Sequence, residues 1–213
     1  MTEPTSERAS VYQPALDRLR GRLADHSYDE IIRRSGATRR ADARIGLRCV
    51  GRDYVISHPD GIVLDAEGAP AEIGTAILLL LYLIESTGRE MEGEWVSFEQ
   101  LPGGAGYMGS FRGRVIGPIL TAFGAEPAGL ARAAEALDGE PLALGDVAVR
   151  LPALPRVPMA YILWGGDAEF SASASVVFDA SVEGYLDAEA VTALAEMATR
   201  RLIDPTRPIQ SKE

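Results

Sequence analysis

The sequence predicts a single α+β domain: a mostly antiparallel sheet from two separated strand sets, packed against core helices, with an N-terminal helical pair. Apolar residues recur at helical spacing near both chain ends and in the middle of the chain. Between these segments, short apolar runs alternate with glycine, proline and aspartate, as is typical of antiparallel hairpins. With 213 residues, 46% of them hydrophobic, the chain can form one core without disulfides. We expect residues 11–203 to form the domain, and residues 1–10 and 204–213 to be disordered.

The N-terminal region predicts two helices. Apolar residues at helical spacing indicate an amphipathic helix from about Tyr12 to Ala24. Ser27 and Glu30 have the spacing of a capping box for a second helix that ends at Gly36. Four arginines in and after this helix are interpreted as a solvated face in preference to an anion-binding patch: Arg33, Arg34, Arg39 and Arg40.

The next region predicts an antiparallel meander. From Arg44 the apolar residues recur with period two, which places Cys49 on the face that points to the core. Glycine and proline turns then separate two further runs, Tyr54–Ser57 and Ile62–Leu64. We therefore expect three consecutive paired strands.

The middle of the chain predicts a buried helix and a short strand. Ala71–Ser86 is apolar on nearly all sides, so it should be the central helix of the core. A short strand follows at Trp95–Phe98. After it comes the segment LPGGAGYMGSFRGR, which we interpret as a flexible glycine loop before a helix that begins near Ser110.

The glycine segment is a candidate ligand site. Gly104, Gly106 and Gly109 have the G-x-G-x-x-G spacing, but no strand follows the helix, which disfavours a dinucleotide fold. A loop at a helix N-terminus with arginines in its first turns would suit a carboxylate or phosphate. The alternative is that these glycines supply positive φ angles in turns. The candidate binding residues are Gly103, Gly104, Gly106, Tyr107, Arg112 and Arg114.

The C-terminal part predicts a second strand set. A helix over Ala128–Leu137 comes first, and Leu142–Leu151 then alternates around a Gly145-Asp146 turn. The following LPALPRVP contains three prolines, which favour an edge or crossing segment because proline cannot donate to a central ladder. The remaining elements are a strand pair, Met159–Trp164 and Ser175–Phe178, and a closing helix, Asp187–Leu202.

Acidic and aromatic residues concentrate in this strand pair. Asp167 and Glu169 follow the Gly165-Gly166 turn after Trp164, and Asp179 ends the returning strand. The three carboxylates would suit Mg²⁺ or Ca²⁺ if the hairpin brought them to one end of the sheet, but pairing also allows opposite ends. Local capping and packing are the favoured interpretation, followed by a ligand-binding rim and then by a metal or catalytic site. The candidate residues of the rim are Trp164, Asp167, Glu169 and Asp179.

Composition excludes several functions. The net charge of −10 disfavours binding to nucleic acid or to an anionic membrane. The single cysteine rules out a four-cysteine zinc or iron–sulfur site built within this chain. No apolar run approaches the roughly 20 residues of a membrane span, and the N-terminus lacks the pattern of a secretory signal, so we expect a cytoplasmic protein.

Four segments resemble a known family. They are YILWGGDAEFSASASVVFDASVEGYL at 161–186, LLYLIESTG at 80–88, WVSFEQLPGG at 95–104 and FRGRVIGPILTAFG at 111–124. They are similar to the uncharacterised prokaryotic family called domain of unknown function 3786, and the resemblance extends over most of residues 10–203. It implies no established activity. Some relatives are fused to cysteine-rich iron–sulfur domains, which suggests redox or cofactor-related neighbours, but this chain lacks that cysteine set.

Two functional hypotheses follow. The first is a non-enzymatic cytoplasmic protein that binds a small ligand or cofactor, or that acts as an accessory protein for a partner enzyme, with redox enzymes suggested by the resemblance. The second is a metal-dependent hydrolase or transferase that uses Asp167, Glu169 and Asp179. The sequence identifies neither a cofactor nor an oligomeric state.

Overall fold

A computed structural model describes the backbone of residues 4–166 and 169–204, and the side chains of residues 11–166 and 169–204. Its helices and two antiparallel sheets confirm the predicted α+β class with an N-terminal helical pair. The helices are α1 (Pro4–Ala24), α2 (Tyr28–Ser35), α3 (Ile73–Glu85), α4 (Gly104–Phe111), α5 (Gly117–Phe123), α6 (Ala128–Glu135) and α7 (Ala188–Ile203). The strands are β1 (Thr38–Arg39), β2 (Arg44–Cys49), β3 (Arg52–Ser57), β4 (Val63–Asp65), β5 (Trp95–Ser97), β6 (Glu140–Leu142), β7 (Val147–Leu154), β8 (Val157–Trp164) and β9 (Ser173–Asp179).

The N-terminal helices differ in detail from the prediction. α1 begins at Pro4, well before Tyr12, and it buries the stripe that ends at Leu23. α2 ends at Gly36 in the left-handed conformation, as predicted. The predicted capping box is wrong: Ser27 makes no side-chain capping bond, and Glu30 forms an ion pair with Arg34 one turn later.

The first sheet is the predicted meander. β1 to β4 lie side by side in chain order and pair antiparallel, and Cys49 faces the core with no solvent exposure. Burial raises the pKa of the Cys49 thiol to about 12, so the sulfur stays a neutral thiol. α3 is the predicted core helix and packs against α1 and α2.

The second sheet has the order β5-β9-β8-β7-β6, with β8 in the centre. The prediction that the prolines mark an edge or crossing segment is wrong, because Pro152 and Pro158 lie in the interior strands β7 and β8. They pair with each other close to the hairpin turn, where the register shifts between Pro152 and Leu154. β6 pairs with β7 only at Ala148–Arg150, so Pro152 faces no strand among the described residues on its β6 side and its missing N–H removes no ladder bond.

The glycine segment is helical. The predicted glycine loop is wrong, because the helix begins at Gly104 and not near Ser110, and α4 continues through a π-helical turn at Arg112–Ile116 into α5. In this turn Gly117 N–H donates to the carbonyl of Arg112, five residues earlier. Core packing outweighs the low helix propensity of glycine. The core-facing side chains of this continuous α4–α5 helix are Phe111, Val115 and Ile119, all buried.

α7 connects the two sheets. Tyr161 on β8 donates its hydroxyl hydrogen to Ala195 O at 3.1 Å. From the last turn of α7, the buried Arg201 guanidinium donates to the carbonyls of Cys49 and Val50, at the turn between β2 and β3 of the first sheet, at 2.5 and 2.7 Å. In the described ranges, no helix is long and apolar enough to cross a membrane.

Candidate functional site

Asp179 is a buried structural carboxylate at the C-terminal end of β9. It accepts hydrogen bonds from the backbone N–H groups of Glu92 at 3.0 Å, Gly93 at 2.7 Å and Ser181 at 3.0 Å. Burial alone would raise the pKa of the Asp179 carboxyl, but these donated hydrogen bonds lower it below its ordinary value. Asp179 therefore holds the loop before β5 against the end of β9.

The three predicted carboxylates do not form one cluster. Glu169 lies in the connection at the opposite end of β9, where Gly166 packs close to the backbone of Phe170. The seven residues of β9 span about 20 Å at the usual rise of a strand. Asp167 lies outside the described residues. Within the described ranges, no group of three His, Cys, Asp or Glu side chains is arranged to hold a metal ion. A shared site that includes Asp179 is therefore wrong.

Trp164 ends β8 at the same end of the sheet as Glu169. Its side chain is 41% exposed and lies beside Gly145, at the turn between β6 and β7. The structure thus places Trp164 against a turn, far along the sheet from Asp179.

The first glycines of the α4–α5 helix have structural roles. Gly103 precedes α4 with φ +79°, a conformation that favours glycine. A Cβ atom on Gly104 would lie 1.9 Å from the carbonyl oxygen of Phe98, so no larger residue fits. Tyr107 is exposed, and its hydroxyl lies 3.4 Å from Glu189 on α7. Gly106 faces open space.

The two candidate arginines point to different surroundings. Arg114 Nη1 lies 3.6 Å from Glu196 Oε2 on α7, so its charge is partly neutralised. Arg112 is exposed and lies on the side of the helix that faces β9. It makes no ion pair with any residue in the part of the chain that the structure describes. Of the two candidate arginines, Arg112 is therefore the one available to a ligand.

A groove of about 450 Å³ separates the α4–α5 helix from β9. We call it the helix–strand groove. Its helix wall carries half-buried apolar side chains next to Arg112 and the π-helical turn, and π-helical turns occur frequently at functional sites. The groove is lined by Ser97, Phe98, Glu99, Met108, Phe111, Arg112, Ile116, Gly117, Leu120, Ala174, Ser175 and Val176.

Aromatic rings give this groove a rigid base. Phe98 and Phe111 are both buried, and their rings stack with centroids 4.1 Å apart and planes within 5° of parallel. Phe178 on β9 meets both rings edge-on. Because these side chains are packed before any ligand enters, the groove is already shaped for binding.

The strand wall of the groove is an unpaired sheet edge. β5 pairs only with Val177–Asp179, whereas β8 pairs with Ser173–Phe178. Ala180 N–H donates to Glu94 O on the β5 side at 2.9 Å. Since backbone groups alternate sides along an antiparallel strand, the N–H and C=O of Ala174 and Val176 also face that side. β5 does not extend beside Ala174 and Val176, so their outward N–H and C=O groups face the groove.

A second depression, of about 610 Å³, lies at α2. Its charges are satisfied within the protein, because Arg39 pairs with Asp29 at 2.6 Å and also lies over the ring of Tyr28. This surface agrees with the solvated arginine face expected from the sequence, so the helix–strand groove is the stronger candidate.

Sequence patterns identified Arg112 but missed the open edge of β9. The missing information is the pairing of β5 with β9, which joins residues about 80 positions apart in the chain. One local signal exists: Ser97 and Gln100 form a capping box that starts a 3₁₀ turn at Phe98 and ends β5 after three residues.

Comparisons with known proteins agree with the resemblance noted in the sequence. No curated protein and no solved structure matches the chain. The family model described as Domain of unknown function (DUF3786) matches residues 27–201, which include α2 and every later element up to the last turns of α7. The chain therefore belongs to the DUF3786 family.

Proposed function

We propose that this protein is a non-enzymatic cytoplasmic binding protein that acts as an accessory to a partner enzyme. Its ligand occupies the helix–strand groove and presents a carboxylate or another anionic group to Arg112. The ligand site thus lies on the side of the α4–α5 helix that faces β9, and not in the glycine loop expected from the sequence.

The observation that carries the proposal is a cation without a counter-ion beside unpaired backbone groups. Arg112 lines the groove and has no acidic partner among the described residues, although the chain carries a net charge of −10. A guanidinium can bind a carboxylate with two parallel hydrogen bonds. The groove volume also falls within the range of roughly 300–1,000 Å³ typical of ligand sites.

The metal-dependent hydrolase or transferase is not retained as a proposal. That hypothesis required Asp167, Glu169 and Asp179 to share an ion. Asp179 is committed to three backbone N–H groups at the far end of β9 from Glu169. Asp179 therefore lies too far from Glu169 for both carboxylates to bind one cation at the usual distance of roughly 2.0–2.6 Å.

Native mass spectrometry of protein produced in its natural host tests the proposed function. We expect a bound species to copurify with the wild type and to be lost from Arg112→Gln, because glutamine cannot provide the charge. Arg18→Gln is the control, since Arg18 is exposed on α1, which packs against α3. The proposal is contradicted if nothing copurifies, or if Arg112→Gln retains the species as fully as Arg18→Gln does.

A further inference from the structure

We infer that the occupant of the helix–strand groove is an extended segment of a partner protein, which adds a strand to β9 beyond the end of β5. This inference rests on the proposed function and names the class of ligand. The observation behind it is the edge of β9 at Ala174 and Val176, where none of the described strands pairs on the side away from β8.

The backbone of β9 supplies the hydrogen-bonding pattern of a strand partner. Ala180 N–H donates to Glu94 O on the β5 side, so by alternation the backbone groups of Ser175 and Val177 point to Ile162 and Ala160 on β8. Ala174 and Val176 consequently direct one N–H and one C=O each toward the groove, at the two-residue spacing of an antiparallel ladder. In the described part of the chain, no hydrogen bond occupies these outward groups. Val176 is only 2% exposed, so leaving its outward backbone groups unpaired is costly.

No segment among the described residues occupies the position that the incoming strand would take. Continuing the register of Ser97 opposite Val177 would place Phe98 opposite Val176. Instead, Gln100 Oε1 accepts from Ser97 N–H at 2.7 Å, and Phe98 turns into the core to stack on Phe111. The edge is therefore open because β5 is diverted, and an added segment would continue the line of β5 along Ser173–Val176.

The helix wall defines which segment fits. Met108, Ile116 and Leu120 are half-buried and face the groove, so they would contact apolar side chains that alternate along an extended segment. Arg112 would pair with an acidic side chain or a C-terminal carboxylate at the same wall. Main-chain bonds would give affinity, and the helix wall would give selectivity, as in strand addition beside a helix.

A small anion accounts for only part of this geometry. It would use Arg112, but it has no repeating donors and acceptors for Ala174 and Val176. An extended peptide engages the cation, the apolar wall and the sheet edge together, so we assign the site to a polypeptide.

The test uses the full-length protein and a phage-displayed library of random 12-residue peptides. The tightest selected peptide is synthesised with a fluorophore, and its Kd is measured by anisotropy. We expect the selected peptides to share an acidic residue and an extended pattern. Binding should weaken at least tenfold with Arg112→Gln and with Ala174→Pro, which removes one outward N–H, while Arg18→Gln leaves the Kd unchanged.

Backbone N-methylation of the peptide tests strand pairing directly. Methylation of the residues that face β9 should abolish binding, while methylation of the intervening residues should change the Kd less than threefold. Equal effects at all positions would overturn strand addition. So would failure to select any peptide, or unchanged binding to Ala174→Pro. In those cases a small molecule retained through Arg112 in native mass spectrometry would still support the proposed function.

Two other occupants are separate outcomes that overturn the assignment to a partner protein. Light scattering that detects a dimer disrupted by Ala174→Pro would assign the edge to a second copy of this chain. Displacement of the labelled peptide by a synthetic peptide of residues 205–213 would assign it to the protein's own C-terminal segment. We expect neither result.

Discussion

At the scale of single residues, Arg201 has a structural role that its sequence position conceals. It lies in the last turn of α7, where basic residues commonly face solvent, yet it is 1% exposed. It donates to Val50 O, and Val50 has a φ of +44°, which is unfavourable for a β-branched side chain. Val50 N–H donates to Ala153 O at 2.9 Å, so contacts from β7 and α7 hold this turn in place.

Replacement of Arg201 should therefore destabilise the whole domain. We expect Arg201→Met to lower the free energy of unfolding by about 3 kcal/mol, because two buried carbonyl groups lose a charged donor. Urea unfolding measures the loss. Arg200→Met is the matched control; Arg200 is partly exposed and pairs with Glu196, so its replacement should cost less than about 1 kcal/mol. Equal stability of the two variants would contradict this role of Arg201.

Asp179 predicts a specific pH dependence. Its pKa is lowered in the folded protein, so its stabilisation is present above its unfolded pKa of about 3.9 and is lost as the pH falls through the lower folded value. Asp179→Asn should cost about 1–3 kcal/mol at pH 7, and the difference from the wild type should shrink below about pH 4. Urea unfolding at pH 7 and pH 3 checks this. A difference that is independent of pH would show that the charge of Asp179 is not what matters.

At the scale of elements, the α4–α5 helix shows why a glycine cluster misleads sequence prediction. Glycine has a low helix propensity, and the four glycines within residues 104–113 favour a loop. The apolar residues that determine the outcome are Phe111, Val115 and Ile119, and their burial exceeds a propensity cost of about 1 kcal/mol per glycine. α3 and α7 were predictable because the apolar residues of each segment in the sequence are the ones that the helix buries.

Alanine substitutions distinguish the helix from a loop. Gly109 is exposed with open space around its missing Cβ, so Gly109→Ala should raise stability by about 0.5–1 kcal/mol. Gly104→Ala should instead destabilise the protein, because the new Cβ would meet the Phe98 carbonyl at 1.9 Å. Thermal unfolding of both variants measures the two effects. Destabilisation by Gly109→Ala would indicate a loop with positive φ at that position.

The register of β9 predicts opposite effects for neighbouring prolines. The N–H of Ala174 faces the groove, so Ala174→Pro should change stability by less than about 1 kcal/mol, as at edge positions generally. The N–H of Ser175 faces Ile162 on β8, so Ser175→Pro should cost about 1–3 kcal/mol or more. Urea unfolding compares the variants. A larger loss of stability for Ala174→Pro would show that the N–H of Ala174, and not that of Ser175, points to β8. That result would contradict the open edge.

At the scale of the whole molecule, the sequence was sufficient for the fold class but not for the site. Alternation in β2 and β3 identifies strands, and turn residues identify their hairpin connections, because these are local effects. Two-residue β1 has no alternation to detect. The edge of β9 depends on how far β5 runs beside it, and the separation of Asp179 from Glu169 depends on which end of a strand each occupies. Both features depend on pairing between strands that are far apart in the chain, which local sequence patterns do not reveal.

The central claim is that Ala174 and Val176 present an open sheet edge to a ligand beside Arg112. Site-resolved amide hydrogen exchange by NMR tests it most directly. In the free protein, we expect the amides of Ala174 and Val176 to exchange at least tenfold faster than those of Ser175 and Val177. Addition of the selected peptide should slow them to the rates of their neighbours. Equal protection of all four amides in the free protein, or no change on binding, would contradict the account.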